Sequence, residues 1–209
     1  MKFSIKRKDI RAMLHLTAKK DLRYYLQGIN VVCDFRGTYI EATNGQIMGR
    51  LFIDGTKSDT KQSVILPSEA LLKLKGTKKQ SDDLLFFSVE GLAVECIDNE
   101  STTRFSACDA KFPDTDRIIP MDVKEEDIKP STFNPDLVSR FVDVSEEIYG
   151  KRQIPQILQR GDQSALVGFP QMDDHFVGVL MPCREFGKPE VPLWCLLPST
   201  KPIETTETV

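Results

Sequence analysis

The chain repeats one order of secondary structure three times, and this repetition constrains the fold more than any other feature. Each unit of about sixty residues reads as a strand, a helix and then several short strands, separated by glycine or Asn-Gly turns. The first unit opens with a strand at Lys2–Ile5 and a helix at 8–17, and the second has a helix that follows Pro67-Ser68. The third has a strand near 131–133 and a helix that begins at Asn134-Pro135. Short turns between strands predict antiparallel sheets, so the expected fold class is α+β.

Composition places the chain among ordinary globular proteins. It has 209 residues, of which 40% are hydrophobic and 28% charged. No apolar run is long enough to span a bilayer, and the N-terminus lacks the apolar core of a signal peptide. The cysteines are scattered and odd in number, which predicts reduced thiols in a cytoplasmic protein and argues against a disulfide framework or a zinc site. They are Cys33, Cys96, Cys108, Cys183 and Cys195.

Charge is distributed unevenly along the chain. The formal net charge of −3 hides a basic N-terminal stretch and a later acidic cluster. A basic face on an acidic body is typical of a protein that holds DNA on one side, although solvated helix faces produce the same pattern. The basic residues are Lys2, Lys6, Arg7, Lys8, Arg11, Lys19, Lys20 and Arg23, and the acidic cluster contains Asp122, Glu125, Glu126 and Asp127.

Three short motifs follow one another along the chain in a specific order. They are Asp21-Leu22-Arg23-Tyr24-Tyr25-Leu26, Ala42-Thr43-Asn44-Gly45, and Lys111-Phe112-Pro113-Asp114 with Arg117-Ile118-Ile119-Pro120. In this order and spacing they resemble the middle domain of the bacterial replicative sliding clamp, the β subunit of DNA polymerase III. The resemblance implies a DNA-clamp, or processivity-fold, architecture: antiparallel sheets outside, helices lining an inner face, and three β-α-β-β-β half-domain units.

The resemblance also implies a domain organisation. Residues 1–120 correspond to a complete clamp domain, 121–130 to a linker, and 131–184 to the second half of the last clamp domain. Residues 185–209 form a C-terminal extension whose apolar part contains Trp194. We consider two interpretations of this extension: a strap packed on the body, or a segment that mimics a clamp-binding peptide.

The clamp resemblance assigns the basic residues to DNA. In the family, helices line the central hole and contact phosphates without reading sequence, so the duplex can slide. The third helix departs from this pattern, because Asp136, Asp143, Glu146 and Glu147 outnumber Arg140. The residues expected to face DNA are Arg7, Lys8, Arg11, Lys20, Arg23, Tyr24, Lys73 and Lys75.

The resemblance further implies an apolar groove that accepts short linear peptides of polymerases and repair proteins. Aliphatic side chains and methionines suit varied apolar anchors. Gln46 and Ile47 replace the His and Arg usual in the family, so a different peptide preference is expected. Taken singly, each groove residue also fits a core or turn position. The expected groove residues are Leu26, Thr43, Gly45, Ile47, Met48, Pro113, Arg117, Ile118, Val179, Met181, Pro182, Cys183 and Arg184.

The leading hypothesis is a sliding-clamp-like processivity factor. It would encircle duplex DNA without sequence specificity and tether a DNA polymerase or another replication or repair protein. A clamp loader is a further candidate partner, and the sequence leaves open whether one is needed. Family rings present twelve helices, so three units per chain predict a homo-oligomer of four chains. The alternative is a clamp-derived adaptor or decoy that binds clamp-binding peptides without encircling DNA.

Other functions find less support in the sequence. A sequence-specific DNA-binding regulator would need a helix-turn-helix or zinc module, and neither is recognisable. The chain has two histidines and no GxxxxGK[ST], GxGxxG or GxSxG motif, so we expect neither catalysis nor a cofactor or metal. No membrane partner is expected.

Overall fold

The computed structural model describes residues 1–54, 56–99, 101–170 and 175–183, together with Pro192. Apart from Pro192, the predicted C-terminal extension lies outside these residues, as does Arg184. The described helices are α1 (Arg7–Leu14), α2 (Ser68–Leu74) and α3 (Pro135–Tyr149).

The described strands form two antiparallel sheets, which confirms the α+β class. The first sheet has the order β1-β6-β7-β8, with β1 at Lys2–Lys6, β6 at Leu84–Glu90, β7 at Ala93–Ile97 and β8 at Thr102–Ser106. The second has the order β5-β2-β3-β4-β11-β10-β9. Its strands are β2 (Gly28–Asp34), β3 (Gly37–Thr43), β4 (Ile47–Asp54), β5 (Gln62–Pro67), β9 (Gln156–Leu158), β10 (Ala165–Gly168) and β11 (Phe176–Leu180).

The first two units exchange their opening strands. Strand β1 pairs with β6 of the second unit, and β5 pairs with β2 of the first. Each sheet therefore contains strands from both units, and neither unit can bury its apolar face alone. The third unit joins through β11, which pairs with β4 and extends the larger sheet.

The β4–β11 junction depends on two facing glycines. Gly49 and Gly178 are direct partners in this antiparallel pair. A Cβ on Gly49 would collide with the side chain of Leu16, just after α1, and a Cβ on Gly178 would lie 2.6 Å from the ring of Phe141 on α3. Because the two glycines have no Cβ, the side chains of Leu16 and Phe141 can pack directly against the sheet where β4 meets β11.

Local signals set the ends of α3. The Asn134 side chain accepts a hydrogen bond from the backbone N–H of Asp136 at 2.9 Å, and Pro135 occupies the first turn. Gly150 ends the helix at φ 72°, a left-handed conformation that favours glycine. The predicted start and end of this helix are confirmed.

Two predicted elements differ from the structure. Helix α1 ends at Leu14 rather than at residue 17, and the chain tightens there through a bond from the Leu16 N–H to the Met13 carbonyl. The strand predicted near 131–133 is wrong. Its backbone groups make separate hydrogen bonds and do not pair in a sheet. The Ser131 N–H donates to the Gln159 side chain, and the Thr132 carbonyl accepts from the Cys183 N–H.

Arg11 connects the three units. It is 7% exposed, and its Nε donates to Glu147 Oε2 on α3 at 2.6 Å. Its Nη1 donates to the Lys75 carbonyl, just after α2, at 2.9 Å, and its Nη2 to Ser81 Oγ at 2.7 Å. A buried guanidinium needs several acceptors to offset its lost hydration. Helix α1 supplies the charge, and the second and third units supply the acceptors.

Replacing Glu147 by glutamine should destabilise the protein, because Arg11 would keep a buried charge without its carboxylate partner. Breaking a buried ion pair costs about 3–5 kcal/mol, and the remaining acceptors of Arg11 should reduce this to roughly 2–3 kcal/mol. Glu146→Gln is the matched control, since Glu146 pairs with the largely exposed Lys78 at 2.8 Å. Urea unfolding of both variants measures the difference, and equal midpoints would contradict the role of Arg11.

Asp9 provides a pH-dependent test of packing around α1. Burial raises its pKa from 3.8 to about 6, and Lys8 and Lys6 only partly oppose the shift. A raised carboxyl pKa means that the folded state is stabilised by protonation. This contribution is complete below pH 3.8 and is lost as pH rises through 6. Asp9→Asn should therefore stabilise the protein by the order of 2 kcal/mol at pH 7.5, with little gain near pH 4. Unfolding curves at both pH values would check this, and a gain independent of pH would contradict it.

Candidate functional site

Two of the predicted DNA contacts lie inside the protein. Arg7 and Arg11 are each 7% exposed. Arg7 donates to the Leu74 carbonyl at the end of α2 and to Asp98 Oδ2 at 2.9 Å. The expectation that these two side chains face DNA is therefore corrected: they bind carbonyls and carboxylates of the same chain.

Three further residues that were predicted to contact DNA also bond to groups of the same chain. Lys8 lies 2.8 Å from Asp82. Arg23 donates to both carboxylate oxygens of Asp21, at 3.0 and 2.7 Å, and this bonding lowers the pKa of Asp21 to about 2. The Tyr24 hydroxyl donates to the Asp109 carbonyl at 2.9 Å. Arg23 and Tyr24 remain half exposed, so their outer edges still reach solvent.

The predicted cations most open to solvent are lysines near the loops. Lys20 and Lys73 are exposed, and Lys75 is partly exposed just after α2. Among the described residues, Lys73 has only a distant ion-pair partner, Glu69 at 3.9 Å, and both side chains are solvated. Such lysines can approach a phosphate backbone without breaking internal contacts.

The acidic character of α3 has a structural cause. Glu147 pairs with Arg11, and Glu146 pairs with Lys78 at 2.8 Å. Asp143 lies 3.1 Å from Arg152 and 3.9 Å from His15. These carboxylates therefore complement basic groups in and just after α1, in the turn after α2 and in the loop after α3.

Three predicted groove residues line up on the outer face of the larger sheet. Met48 is the Cα partner of Thr43 on β3 and of Val179 on β11. All three are buried, at 6% exposure or less. Leu26 is likewise buried and lies in the short 3-10 helix that leads into β2. The structure thus brings residues from both ends of the chain into one row.

Ile47 lies on the other face. Side chains alternate along a strand, so neighbours Ile47 and Met48 point in opposite directions. Ile47 is 2% exposed within the hydrophobic core that contains Leu51 and Leu180. Its placement in the groove wall is therefore corrected, and it is a core residue.

The remaining predicted groove residues, which we call the rim, are more exposed than this row. Met181 is 44% exposed, and its N–H donates to the Gln46 carbonyl at 2.9 Å, which holds it beside the β3–β4 turn. In that turn Gly45 has φ 91°, and a Cβ there would lie 3.1 Å from Arg23 Nη2. Ile118 is 40% exposed, and its carbonyl accepts from Ser164 Oγ at 3.4 Å. The other rim residues are Pro113 and Arg117, both exposed, and Pro182 and Cys183, both partly exposed.

Sequence reasoning missed a charged network beside this row. Polar residues occupy the same outer face two residues further along the strands. There, Glu41 on β3 is the partner of Arg50 on β4. Arg50 Nε donates to Glu41 Oε1 at 2.8 Å, and its Nη2 donates to Asp116 Oδ1 at 2.7 Å. Arg36 also donates to Asp116 at 2.7 Å. Alternation of Tyr39, Glu41 and Thr43 was the available signal for a shared outer face.

The described residues offer neither a metal site nor a membrane-spanning helix. No group of three His, Cys, Asp or Glu side chains there is arranged to hold a metal ion. None of the helices in this part of the chain has the length and apolarity that a bilayer span requires.

Comparison with known sequences identifies one informative relative. No protein-family model matches the chain. The β sliding clamp of Pseudomonas aeruginosa is 26% identical over 125 residues, which cover 57% of this chain and 34% of that protein.

Comparison with solved structures extends the likeness. The P. aeruginosa DNA polymerase sliding clamp with ligand superposes with a TM-score of 0.71 at 17% identity, over 88% of this chain and 66% of the clamp. The DNA polymerase III β subunit of Thermotoga maritima gives 0.69 at 13% identity, over 89% and 66%. The P. aeruginosa clamp bound to griselimycin gives 0.66 at 19% identity, over 88% and 66%.

These relatives are longer than this chain, which spans 34% of the curated clamp and 66% of the solved ones. The resemblance inferred from the three motifs is confirmed. The protein has the fold of the bacterial sliding clamps, the β subunits of DNA polymerase III.

Proposed function

We propose that this protein is a sliding-clamp-like processivity factor that holds a partner protein on duplex DNA and performs no chemistry itself. The observation that carries the proposal is the β4–β11 junction. It joins a two-sheet body to a third unit in one continuous sheet, and residues from distant parts of the sequence meet beside it. The clamp fold of the solved relatives supports the same function.

A groove at this junction would suit an apolar linear peptide. Its floor, formed by Thr43, Met48 and Val179, is already closely packed. The accessible anchors are therefore the rim side chains Met181 and Ile118, which are 44% and 40% exposed. An unbranched methionine can repack around different apolar side chains, which fits a site that serves several partners. We expect a polymerase or a repair protein to supply the peptide.

Duplex DNA would contact the lysines that internal ion pairs leave accessible. Lys20, Lys73 and Lys75 lie in or next to loops and offer flexible point charges. Contacts of this kind carry no base information, so binding would be independent of sequence and sensitive to salt. The buried Arg7 and Arg11 take no part in this contact.

Assembly into a ring would use one edge strand of each sheet. Among the described strands, β1 and β8 are the edges of the smaller sheet and β5 and β9 are those of the larger one, and β8 and β9 would pair with neighbouring copies. Edge strands present unpaired backbone groups that a second copy can extend. Four chains of three units would supply the twelve helices of a clamp ring, with a clamp loader to open it. Free thiols at Cys33, Cys96, Cys108 and Cys183 fit a cytoplasmic setting.

Met181→Glu should weaken peptide binding at the groove, because it places a charge among apolar anchors. Griselimycin, which is bound in the solved P. aeruginosa clamp, serves as the probe. We expect calorimetric titration to show binding to the wild type and at least about tenfold weaker binding to the variant. Leu92→Glu is the matched control, since Leu92 is 47% exposed in the β6–β7 turn of the other sheet. Equal losses in both variants, or no binding to the wild type, would contradict the groove.

The ring has its own test. Light scattering at micromolar concentration should give the mass of four chains. Protein bound to nicked circular plasmid should be released when the plasmid is linearised, since only an encircling protein can slide off a free end. A strict monomer, or equal retention on circular and linear DNA, would contradict encirclement.

Lysine variants test whether DNA binding depends on the proposed lysines or only on the net charge of the protein. Lys20→Ala with Lys73→Ala should weaken plasmid retention, whereas Lys111→Ala with Lys129→Ala removes the same charge from exposed positions elsewhere. Equal effects of the two pairs would show that net charge alone governs binding.

A second candidate function is a clamp-derived adaptor or decoy that binds peptides without encircling DNA. The burial of Arg7 and Arg11 and their use in internal hydrogen bonds favour it, because they remove two cations from the helix expected to face the duplex. A monomer that binds griselimycin but is not retained on circular DNA would identify this function.

A further inference from the structure

We infer that Asp116 is a positioning residue for the peptide groove, because it ties the groove rim to the outer face of the larger sheet. The inference rests on the proposed function and adds a residue that lies outside the expected groove. The rim segment 113–118 has little regular structure, only a 3-10 turn at Thr115–Arg117. Something other than helix or strand pairing must therefore fix its distance from the sheet.

Asp116 supplies that attachment through both carboxylate oxygens. Its Oδ1 accepts from Arg36 Nη1 and from Arg50 Nη2, each at 2.7 Å, and its Oδ2 accepts from Arg36 Nη2 at 3.2 Å. Lys61 Nζ lies 3.6 Å away. Hydrogen bonding from Arg36, with a further contribution from Arg50, holds the pKa of Asp116 well below its ordinary value. The carboxylate is therefore charged at neutral pH, and each of its bonds is charge-assisted.

Thr115 makes a second, buried attachment next to the first. It is 3% exposed, and its hydroxyl donates to Glu41 Oε1 on β3. The same hydroxyl oxygen accepts from Arg50 Nη2 on β4 at 2.9 Å. Asn30 on β2 donates to the other Glu41 oxygen at 3.0 Å. Three neighbouring strands thus contribute to the attachment.

The two arginines are themselves held in place. The Tyr39 ring has the guanidinium carbons of Arg36 and Arg50 at 5.0 and 4.7 Å from its centroid, within the range of a cation–π contact. The Tyr39 hydroxyl donates to Asp34 Oδ2 at 2.8 Å and accepts from Arg36 Nη2 at 2.6 Å. The donors that grip Asp116 therefore have little freedom to follow it if the rim moves.

The position of this network relates it to the groove. The Glu41–Arg50 pair lies next to the Thr43–Met48 pair on the same face, a step of two residues or about 7 Å along the strands. Arg117 and Ile118 directly follow Asp116, and the Ile118 N–H bonds to the Thr115 carbonyl at 3.2 Å. A shift of Asp116 away from the sheet would therefore also move Ile118, the rim residue whose carbonyl accepts from Ser164 just before β10.

Asp116→Asn tests the inference, since it keeps the shape of the side chain and removes the charge. We expect griselimycin affinity to fall about tenfold. We also expect backbone hydrogen exchange within 114–118 to accelerate, while the free energy of global unfolding changes little. Asp114→Asn is the matched control: Asp114 lies in the same segment but pairs only with the exposed Arg117, at 2.9 Å, among the described ion pairs. It should leave both measurements unchanged.

The outcomes separate this inference from the proposed function. Unchanged exchange of the segment in Asp116→Asn overturns the inference whether or not the probe binds. Accelerated exchange with unchanged affinity shows an attachment that does not position the groove, and also overturns it. Wild-type protein that fails to bind griselimycin contradicts the groove of the proposed function, and the inference about its positioning fails with it.

Discussion

The buried guanidinium of Arg11 is the interaction on which the arrangement of the three units depends. Its five N–H donors cannot be left without acceptors in a site that excludes water. Glu147 comes from the third unit, and the Lys75 carbonyl and Ser81 come from the second. Because no single unit can satisfy the group, the charge specifies an assembled state in which all three units are in register.

This requirement explains the charges of the helices better than nucleic-acid binding does. A run of arginines and lysines is compatible with either a ligand-facing surface or an internal ion-pair layer, and composition does not distinguish them. The distinguishing signal was present elsewhere in the chain: Asp143 and Glu147, four residues apart on α3, lie on one helix face opposite α1. Reading the basic and acidic helices together would have predicted their contact.

Local rules predicted much of the fold. Asn134, Pro135 and Gly150 marked the ends of α3 because capping depends on a few adjacent residues. Alternation should have excluded Ile47 from the groove, since Met48 takes the outer face. Contacts such as Asp116 with Arg50 depend on chain segments 66 residues apart, and no local pattern encodes them. The convergence of the groove residues was predictable only through resemblance to clamps.

The facing pair Gly49 and Gly178 has a consequence for how the molecule bends. With no Cβ on either glycine, the side chains of Leu16 and Phe141 pack directly against the sheet backbone, and this close packing constrains the angle between the body and the third unit. An alanine on either strand would act as a wedge and change that angle. In a closed assembly the same angular error would recur at every copy and accumulate around the circumference. The curvature of any such assembly would therefore depend on two residues that lie against Leu16 and Phe141 inside the protein.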